Sequence, residues 1–311
     1  MNGKHYRYLF GPVPSRRLGR SLGVDLLCER RCSFDCVFCE VGATDVLTRE
    51  RRDYVPTAAV IAELHDWLRE GGQADVITLA GAGEPTLHTG FGEVIDAVHA
   101  ACRIPVALLT NSTLLGDADV RAAAARADIV KVSLSAWDDA SMVALNRPAA
   151  GLSFAELLDG LRVFCAMYRG RLWVEVLLVR GINDAPAQVA RIAALTAGLK
   201  PEKVQLNTVV RPPAFETAEA VGEESLTALA LLFTPPAEVI APHRGGGAAK
   251  RELAEAGDDL RAMLARRPCT AGDIAAVLGI TPEAATARAE ALVAAGTVHP
   301  VEKDGVRYYS A

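Results

Sequence analysis

The chain has 311 residues, which is long enough for more than one domain, and its content of 50% hydrophobic and 23% charged residues is ordinary for a soluble enzyme. Its 33 basic and 38 acidic side chains give a net charge of -5, which excludes a global positive field that would draw the protein to nucleic acid or to an anionic membrane. No stretch reaches the roughly 20 uninterrupted apolar residues of a membrane span.

The N-terminal residues and the cysteine content predict a cytoplasmic protein. Residues 1–8 lack the apolar core of a signal peptide. Seven cysteines, three of them close together, fit a reducing compartment better than a disulfide framework in a chain of this size.

A segment rich in proline and glycine opens the first predicted element. Residues 10–20 are predicted to be a loop, and residues 21–27 are predicted to be the first strand. Arg16 and Arg17 precede this strand. Arginine binds carboxylate or phosphate groups with two parallel hydrogen bonds, although paired arginines are also common in solvated loops.

Three cysteines, Cys32, Cys36 and Cys39, follow with C-x3-C-x2-C spacing. They lie in residues 28–56, which show neither helical nor strand periodicity. Three thiolates this close can hold three corners of a cubic four-iron cluster and leave the fourth iron open to a small molecule. The alternatives are unrelated core cysteines or part of a zinc site. Zinc prefers four protein ligands, usually as two separated pairs, and the sequence has no second C-x2-C, so the spacing favours an iron–sulfur cluster.

Beyond the cysteines, strand-like and helical patterns alternate. The five further predicted strands are residues 75–80, 104–110, 129–135, 172–179 and 203–209. The predicted helices are residues 57–69, 90–102, 117–126, 153–168, 186–198 and 223–233. This alternation predicts a parallel α/β sheet. Six strands are too few for a closed eightfold barrel, and strand counting alone also allows a doubly wound sheet.

Ligands of parallel sheets collect at the carboxyl ends of the strands, and the second predicted strand is followed there by a glycine-rich turn. Gly81 and Gly83 allow close approach of the backbone to a ligand, and Glu84 precedes a proline that keeps it extended. Such a turn alone is weak support for a site, because it is also a common strand-to-helix connection. Asn111 lies at the end of the third predicted strand.

Polar residues also end the later strands. Ser133 and Lys131 share one face of the fourth predicted strand, and a lysine inside a barrel needs a charge partner. Arg147 lies in Leu-Asn-Arg-Pro after this strand, where it can bind an anionic substrate. Asn207 and Arg211 lie at the end of the sixth predicted strand and in the loop that follows.

The composition changes after residue 240. Residues 241–257 contain three consecutive glycines and are predicted to be a linker. Helices are then predicted at residues 258–267, 270–278 and 281–295. A hairpin is predicted at residues 297–309, turning at Asp304-Gly305. This pattern predicts a winged helix-turn-helix domain over residues 258–311, after a first domain over residues 1–240.

The charges of the C-terminal domain argue against a DNA reader. Residues 258–311 carry 6 basic and 7 acidic side chains, and the predicted recognition helix has Arg288 as its only basic residue. DNA affinity depends on neutralising phosphates with lysine and arginine. The domain is therefore expected to contact a protein or to cover a substrate.

The cysteine run, with Phe38 just before Cys39, resembles the radical S-adenosylmethionine (SAM) superfamily. The resemblance implies a [4Fe-4S] cluster on Cys32, Cys36 and Cys39, with the amino and carboxylate groups of SAM on the fourth iron and Phe38 near the adenine. It implies reductive cleavage of SAM to methionine and a 5′-deoxyadenosyl radical, which abstracts hydrogen from a substrate. An external one-electron donor of the flavodoxin or ferredoxin type is implied as well.

The resemblance also implies a fold and further site residues. The fold is an α/β partial (β/α)6 TIM-type barrel over about residues 10–240. The glycine-rich turn then receives the amino group of SAM. The residues implied for SAM are Phe38, Gly81, Gly83, Glu84, Asn111, Ser133 and Asn207. The candidate ligands of an anionic substrate are Arg16, Arg17, Lys131, Arg147 and Arg211, of which Lys131 is also a candidate for the SAM carboxylate.

The lead-in Gly-Pro-Val-Pro-Ser-Arg-Arg and the Asn-Arg-Pro element resemble a subgroup related to wyosine synthases, which modify tRNA. Relatives that do so carry additional N-terminal cysteines for a second cluster, whereas only Cys28 lies near the motif here. The substrate therefore stays open between RNA and a peptide or protein docked by the C-terminal domain. An alternative of another class is a DNA-binding regulator that senses iron–sulfur status.

Overall fold

The computed structural model describes residues 6–15, 17–240 and 257–311. Two sequence predictions lie outside these ranges, namely the substrate role of Arg16 and all but the last residue of the predicted linker at 241–257. Within the described ranges, no helix combines the length and the apolar character that a membrane crossing requires.

The first element is an antiparallel hairpin of strands β1 (Leu9–Ser15) and β2 (Gly19–Val24). The predicted loop over residues 10–20 is therefore wrong. Pro12 and Pro14 are tolerated because β1 is the edge strand of its sheet, where one side of the backbone needs no ladder partner.

The main sheet has eight strands that follow one another in chain order. Between β2 and the next of these strands, β3 (Arg31–Cys32) and β4 (Val46–Leu47) form a separate parallel pair. The other strands of the main sheet are β5 (Val76–Leu79), β6 (Val106–Thr110), β7 (Ile129–Ser133), β8 (Arg171–Leu178), β9 (Lys203–Thr208) and β10 (Glu238–Val239). From β2 to β10 all neighbours are parallel, so the six predicted strands are confirmed.

The sequential strand order identifies the architecture. A doubly wound sheet reverses its order at a switch point, so that alternative is excluded. Crossovers between parallel strands are right-handed as a rule, and successive crossovers in one direction place the helices on one face, as in a partial (β/α) barrel. The helices are α1 (Thr57–Arg69), α2 (Phe91–Ala101), α3 (Ala118–Ala124), α4 (Asp139–Asn146), α5 (Phe154–Met167), α6 (Pro186–Leu199) and α7 (Glu223–Ala230).

Helix α4 was not predicted by the sequence pattern. It begins at Asp138, whose side chain accepts a hydrogen bond from the N–H of Ser141, and it ends at Arg147, which adopts a left-handed conformation with φ 45°. Two of its four buried side chains, Ser141 and Asn146, are polar. The apolar stripe that reveals a helix in sequence is therefore incomplete.

A small apolar layer fills the barrel interior near the start of the strands. Val76, Ala107, Ile129 and Trp173 are buried together, and Leu18 packs against them. This layer is separate from the main core between the sheet and the helices. We call it the apolar plug, because it fills the amino-terminal end of the barrel beneath the charged side chains that lie nearer the carboxyl ends of the strands.

The C-terminal elements form a second, smaller arrangement of helices and strands. These are α8 (Gly257–Leu264), β11 (Cys269–Thr270), α9 (Ala271–Leu278), α10 (Pro282–Ala294), β12 (His299–Lys303) and β13 (Val306–Ser310). The three strands form an antiparallel sheet in the order β11-β13-β12. The three predicted helices and the hairpin are confirmed, and the hairpin turns at Asp304 and Gly305, which both have positive φ.

Two helical glycines provide a test of this packing. A methyl group on Gly160 of α5 would lie 2.5 Å from the backbone nitrogen of Gly116, whereas one on Gly198 of α6 would meet open space. We expect Gly160→Ala to lower the free energy of unfolding by about 1–3 kcal/mol through overpacking. Gly198→Ala should raise it by about 0.5–1 kcal/mol through helix propensity. Thermal unfolding measures both, and equal midpoints for the two variants would contradict the close helix–loop contact at Gly160.

Candidate active site

The three predicted cluster cysteines lie on one loop, residues 32–39, which we call the thiol loop. Neighbouring elements fix its backbone. The N–H of Thr48, just after β4, donates to the Cys32 carbonyl at 2.8 Å, and the N–H of Val37 donates to the Leu145 carbonyl of α4 at 2.9 Å. The path of the loop is therefore set from both sides.

Side-chain amides donate to two of the three thiols, whereas burial disfavours the ionisation of all three. The side-chain amide of Asn111 donates to Cys32 Sγ at 3.4 Å, and that of Asn146 donates to Cys36 Sγ at 3.2 Å. Burial raises the pKa of Cys32 to about 12 and also raises the pKa of Cys36 and Cys39. The charges of the other two thiols raise the pKa of Cys36 further. Three adjacent thiolates are thus unfavourable here without a positive partner.

A cleft opens beside the thiol loop at the carboxyl ends of the strands. It holds about 530 Å³ of empty space, part of it open to solvent. Its wall is mostly apolar and includes Phe34, Leu134, Ala136, Met142, Phe154, Leu157 and Leu177. The polar residues and the predicted site residues on its lining are Cys36, Phe38, Asn111, Ser133, Ser135, Asn146 and Glu175. The structure thus brings together Phe38, Asn111 and Ser133, which the sequence had suggested separately.

The glycine-rich turn packs tightly against the start of the cysteine segment. A methyl group on Gly83 would lie 1.7 Å from the carbonyl oxygen of Arg31, and one on Gly81 would lie 2.4 Å from the carboxyl carbon of Asp25. The N–H of Glu84 donates to the same Arg31 carbonyl at 3.2 Å. Larger residues at the two glycines would push the turn away from the thiol loop.

The carboxylate of Glu84 is buried and satisfied within the chain. It accepts hydrogen bonds from the hydroxyl of Thr86 at 2.6 Å and from the hydroxyl of Thr110 at 2.7 Å. The backbone N–H of Asn111 donates to its other oxygen at 2.6 Å. Burial raises the pKa of Glu84, while these donors oppose the shift. The side chain therefore joins the ends of β5 and β6, and the backbone of the turn is the part available to a ligand.

Buried charges lie inside the barrel below the cleft. Lys131 and Arg17 both form ion pairs with Glu175, the latter at 2.7 Å, and the side-chain amide of Asn207 donates to Glu175 at 3.4 Å. Lys131 is only 7% exposed, and burial lowers its pKa to about 8 although the Glu175 charge opposes this. We call these four residues the charged floor. Two cations share one carboxylate there, so the set has a formal charge of +1.

Glu175 was missed by the sequence reasoning, although a signal was present. The residue lies in β8 on the same strand face as Trp173 and Leu177. A charged residue at an inward position of an otherwise apolar strand needs a partner. Lys131 in the adjacent strand needs a charge partner for the same reason, so the two residues could have been paired.

The remaining arginines lie elsewhere. The guanidinium of Arg147 lies 3.9 Å from the ring centre of Phe215, at the end of α4. Arg211 does not line the cleft but reaches Asp273 of α9 at 2.9 Å and Glu40 at 3.5 Å. The structure therefore brings Arg17 and Lys131 together below the cleft, whereas Arg211 connects the barrel to the C-terminal elements.

Residues 28–193 match the family model described as the radical SAM superfamily, which is more than half of the chain. The chain belongs to the radical SAM superfamily. Radical SAM enzymes use a [4Fe-4S] cluster and SAM and need an external electron donor, so the predicted superfamily, enzyme class and cofactors are confirmed.

Similar proteins occur in several bacteria. A UPF0026 protein of Helicobacter pylori (strain J99) is 31% identical over 273 residues, which are 87% of each chain. The UPF0026 protein slr1464 of Synechocystis is 36% identical over 206 residues, 66% of this chain and 76% of that one. GTPase Obg of Brachyspira hyodysenteriae is 33% identical over 218 residues, which are 70% of this chain but only 32% of that protein. The chain thus spans about a third of the length of that relative.

Solved structures share the fold at low identity. The structure of TYW1 with a lysine-pyruvate adduct bound superposes with a TM-score of 0.55 at 15% identity, over 73% of this chain and 76% of that one. A radical SAM methyltransferase from Sphaerobacter thermophilus superposes with a TM-score of 0.51 at 22% identity, over 70% and 65% of the two chains. These similarities confirm the α/β fold with a mostly parallel sheet.

The charged floor makes a specific prediction for stability. Glu175→Gln leaves Lys131 and Arg17 without their carboxylate partner, and we expect it to lower the free energy of unfolding by about 3–5 kcal/mol. The control is Glu202→Gln, because Glu202 pairs with Arg171 at the exposed end of β8, where an ion pair contributes about 0–1 kcal/mol. Urea unfolding of both variants measures the difference, and a similar loss in each would contradict a buried charge cluster.

A second prediction concerns pH. Lys131 titrates near pH 8 in the folded chain and near its ordinary value of 10.5 when unfolded. Between these values the unfolded chain binds one proton more, so this group favours the folded state increasingly as the pH rises. The thermal midpoint of the natural chain should therefore rise relative to that of Lys131→Met from pH 8 to pH 10.5. A constant or falling difference would be the contrary result.

Proposed function

We propose that Cys32, Cys36 and Cys39 hold the [4Fe-4S] cluster, that SAM occupies the cleft beside the thiol loop, and that a hydrogen atom is abstracted from a substrate bound towards the charged floor. The observation that supports this most is the cleft itself. One cysteine of the thiol loop, the aromatic residue before the last cysteine and polar ends of the neighbouring strands all line it.

The thiol loop suits a cluster better than a single metal ion. Among the residues that the structure describes, no three His, Cys, Asp or Glu side chains are grouped as ligands of one ion. A tetrahedral zinc ion gathers its sulfurs around one centre, whereas a four-iron cluster distributes them over separate corners. The raised pKa values of the three thiols mean that cluster binding must release protons, and positive iron then offsets the repulsion between thiolates.

Cys32, Cys36 and Cys39 would hold the cluster, which when bound and reduced by an external donor would supply the electron for cleavage of SAM to methionine and a 5′-deoxyadenosyl radical. The residues of the chain position and shield this chemistry. Asn111 and Asn146 orient two of the thiols through hydrogen bonds. Phe38 and the apolar wall exclude water, which prevents side reactions of a reactive species.

Backbone and polar side chains would bind the rest of SAM. Gly81 and Gly83 let the turn approach its amino group, while Glu84 keeps the turn in place through its threonine donors. Ser133 lines the cleft and would contact the ribose or the carboxylate. Asn207, which donates to Glu175 in the charged floor, would reach SAM from the end of β9.

The charged floor favours a substrate with an anionic group. Arg17 and Lys131 share Glu175, the charge of Glu40 also acts on Lys131, and a substrate phosphate or carboxylate would be a further partner for these two cations. RNA supplies phosphates and a peptide supplies carboxylates, and both substrate classes stay predictions. Arg147 would act only at the outer rim, since it stacks on Phe215.

We also propose a division into a barrel domain over residues 1–240, a linker over residues 241–257 and a winged helix-turn-helix domain over residues 258–311. The order of three helices and a three-stranded antiparallel sheet supports the winged-helix assignment. A DNA-reading role is not supported, because Arg288, the basic residue of α10, is partly buried. An external one-electron donor of the flavodoxin or ferredoxin type would supply the electron.

The cysteine assignment is tested by Cys36→Ala, with Cys102→Ala as the control because Cys102 lies at the end of α2, outside the thiol loop. Anaerobically reconstituted Cys36→Ala should form at least about a hundredfold less 5′-deoxyadenosine from SAM, since one corner of the cluster loses its ligand. Cys102→Ala should retain the activity. The assay quantifies 5′-deoxyadenosine under dithionite, and normal output from Cys36→Ala would refute the assignment.

A further inference from the structure

Arg211 joins the C-terminal elements to the thiol loop. Its guanidinium donates to Asp273 of α9 at 2.9 Å and to the carbonyl of Pro268 at 2.6 Å. Its Nε lies 3.5 Å from the carboxylate of Glu40, which directly follows Cys39. Arg211 and Asp273 are largely buried, so their attraction is only weakly screened. One arginine thus bridges the residue after Cys39 and the C-terminal domain.

A second arginine, Arg266, is linked to the glycine-rich turn through Asp25. Arg266, after α8, donates to Asp25 at 2.9 Å, and Asp25 is only 2% exposed. The other carboxylate oxygen of Asp25 accepts hydrogen bonds from the N–H groups of Leu27 and Cys28 at 3.1 Å. The same carboxyl group packs directly against Gly81. Asp25 therefore supports both the turn and the chain that leads into the thiol loop.

Apolar contacts accompany these ion pairs. Val13 of β1 belongs to the same buried cluster as Leu260, Met263 and Leu264 of α8. The hydroxyl of Tyr308 in β13 donates to the carbonyl of Val210 at 3.1 Å. The C-terminal domain therefore contacts the barrel through apolar groups as well as ion pairs, and the two arginines lie at the contacts nearest the site.

We propose that the C-terminal domain is a positioning element of the active site, acting through Arg211 and Arg266 on the thiol loop and the glycine-rich turn. This inference rests on the proposed function, because the proposed function identifies the thiol loop and the glycine-rich turn as parts of the active site. Removal of either docking contact leaves a buried carboxylate, or a buried arginine, with fewer partners. The affected loop then relaxes, and SAM binds less tightly. Movement of the domain would thus change the geometry of the site without any contact to SAM.

The test compares Asp273→Asn with Glu290→Gln in the full chain. Asp273→Asn weakens the Arg211 contact without altering a residue of the barrel. Glu290→Gln removes a matched charge whose partners, Arg307 and Tyr309, lie within the C-terminal domain. Hydrogen exchange of the metal-free chain is measured for residues 32–42, with β6 as internal reference. We expect about tenfold faster exchange of this segment in Asp273→Asn and no change in Glu290→Gln.

Arg266→Gln provides an independent arm with Arg307→Gln as its control. Exchange at residues 25–28 and 80–84 should accelerate about tenfold in Arg266→Gln only. In loaded enzyme, both docking variants should raise the KM for SAM about tenfold with kcat within about twofold, as for a lost binding contribution. Exchange in both docking variants equal to that in their controls would overturn the proposal. Because exchange is read without cluster or SAM, a failure of the proposed chemistry would leave this result unaffected.

Discussion

Three half-buried cysteines whose thiols resist ionisation lie together at one edge of the sheet, and the backbone of the thiol loop holds them there. Hydrogen bonds from the chain after β4 and to the end of α4 fix the loop on both sides. Because these bonds involve main-chain atoms, the path of the loop is independent of the charge of the thiols. The loop could therefore keep its path if the sulfurs lost their protons to bind the proposed cluster.

The charged floor illustrates a cost that the fold accepts at its centre. A lysine and an arginine inside a barrel lose hydration, and ion pairs with Glu175 offset part of that loss. An apolar filling would pack as well, as the apolar plug beneath shows. Destabilising buried charges of this kind are expected where a charged substrate would bind to the charged floor, since active sites commonly lose stability in favour of function.

Local sequence patterns were sufficient for the features that depend on local chemistry. The cysteine spacing indicated the superfamily, alternating apolar periods located the six parallel strands, and Asp304-Gly305 located the C-terminal turn. They failed where the decisive contact is distant. The prolines of β1 concealed an edge strand, because nothing in the sequence says that its outer side needs no ladder.

Long-range pairing explains the site residues that were not found. Glu175 gains its role from Lys131, 44 positions earlier, and from Arg17. The position of Arg211 after a strand end suggests a ligand of an anionic substrate, whereas its guanidinium contacts Asp273, 62 positions later. Neither contact can be predicted from periodicity or turn residues. The first depends on the curvature of the sheet, and the second depends on the position of the C-terminal elements.

The apolar plug affects how ligands can enter the interior of the barrel. Because Val76, Ala107, Ile129 and Trp173 fill the amino-terminal end of the barrel, the cleft at the carboxyl ends of the strands is an entrance to the interior. A nucleotide bound beside the thiol loop would occupy that entrance. A substrate that reaches the charged floor through the same cleft would have to enter before that nucleotide or pass beside it, so the shape of the cleft bears on the order of binding.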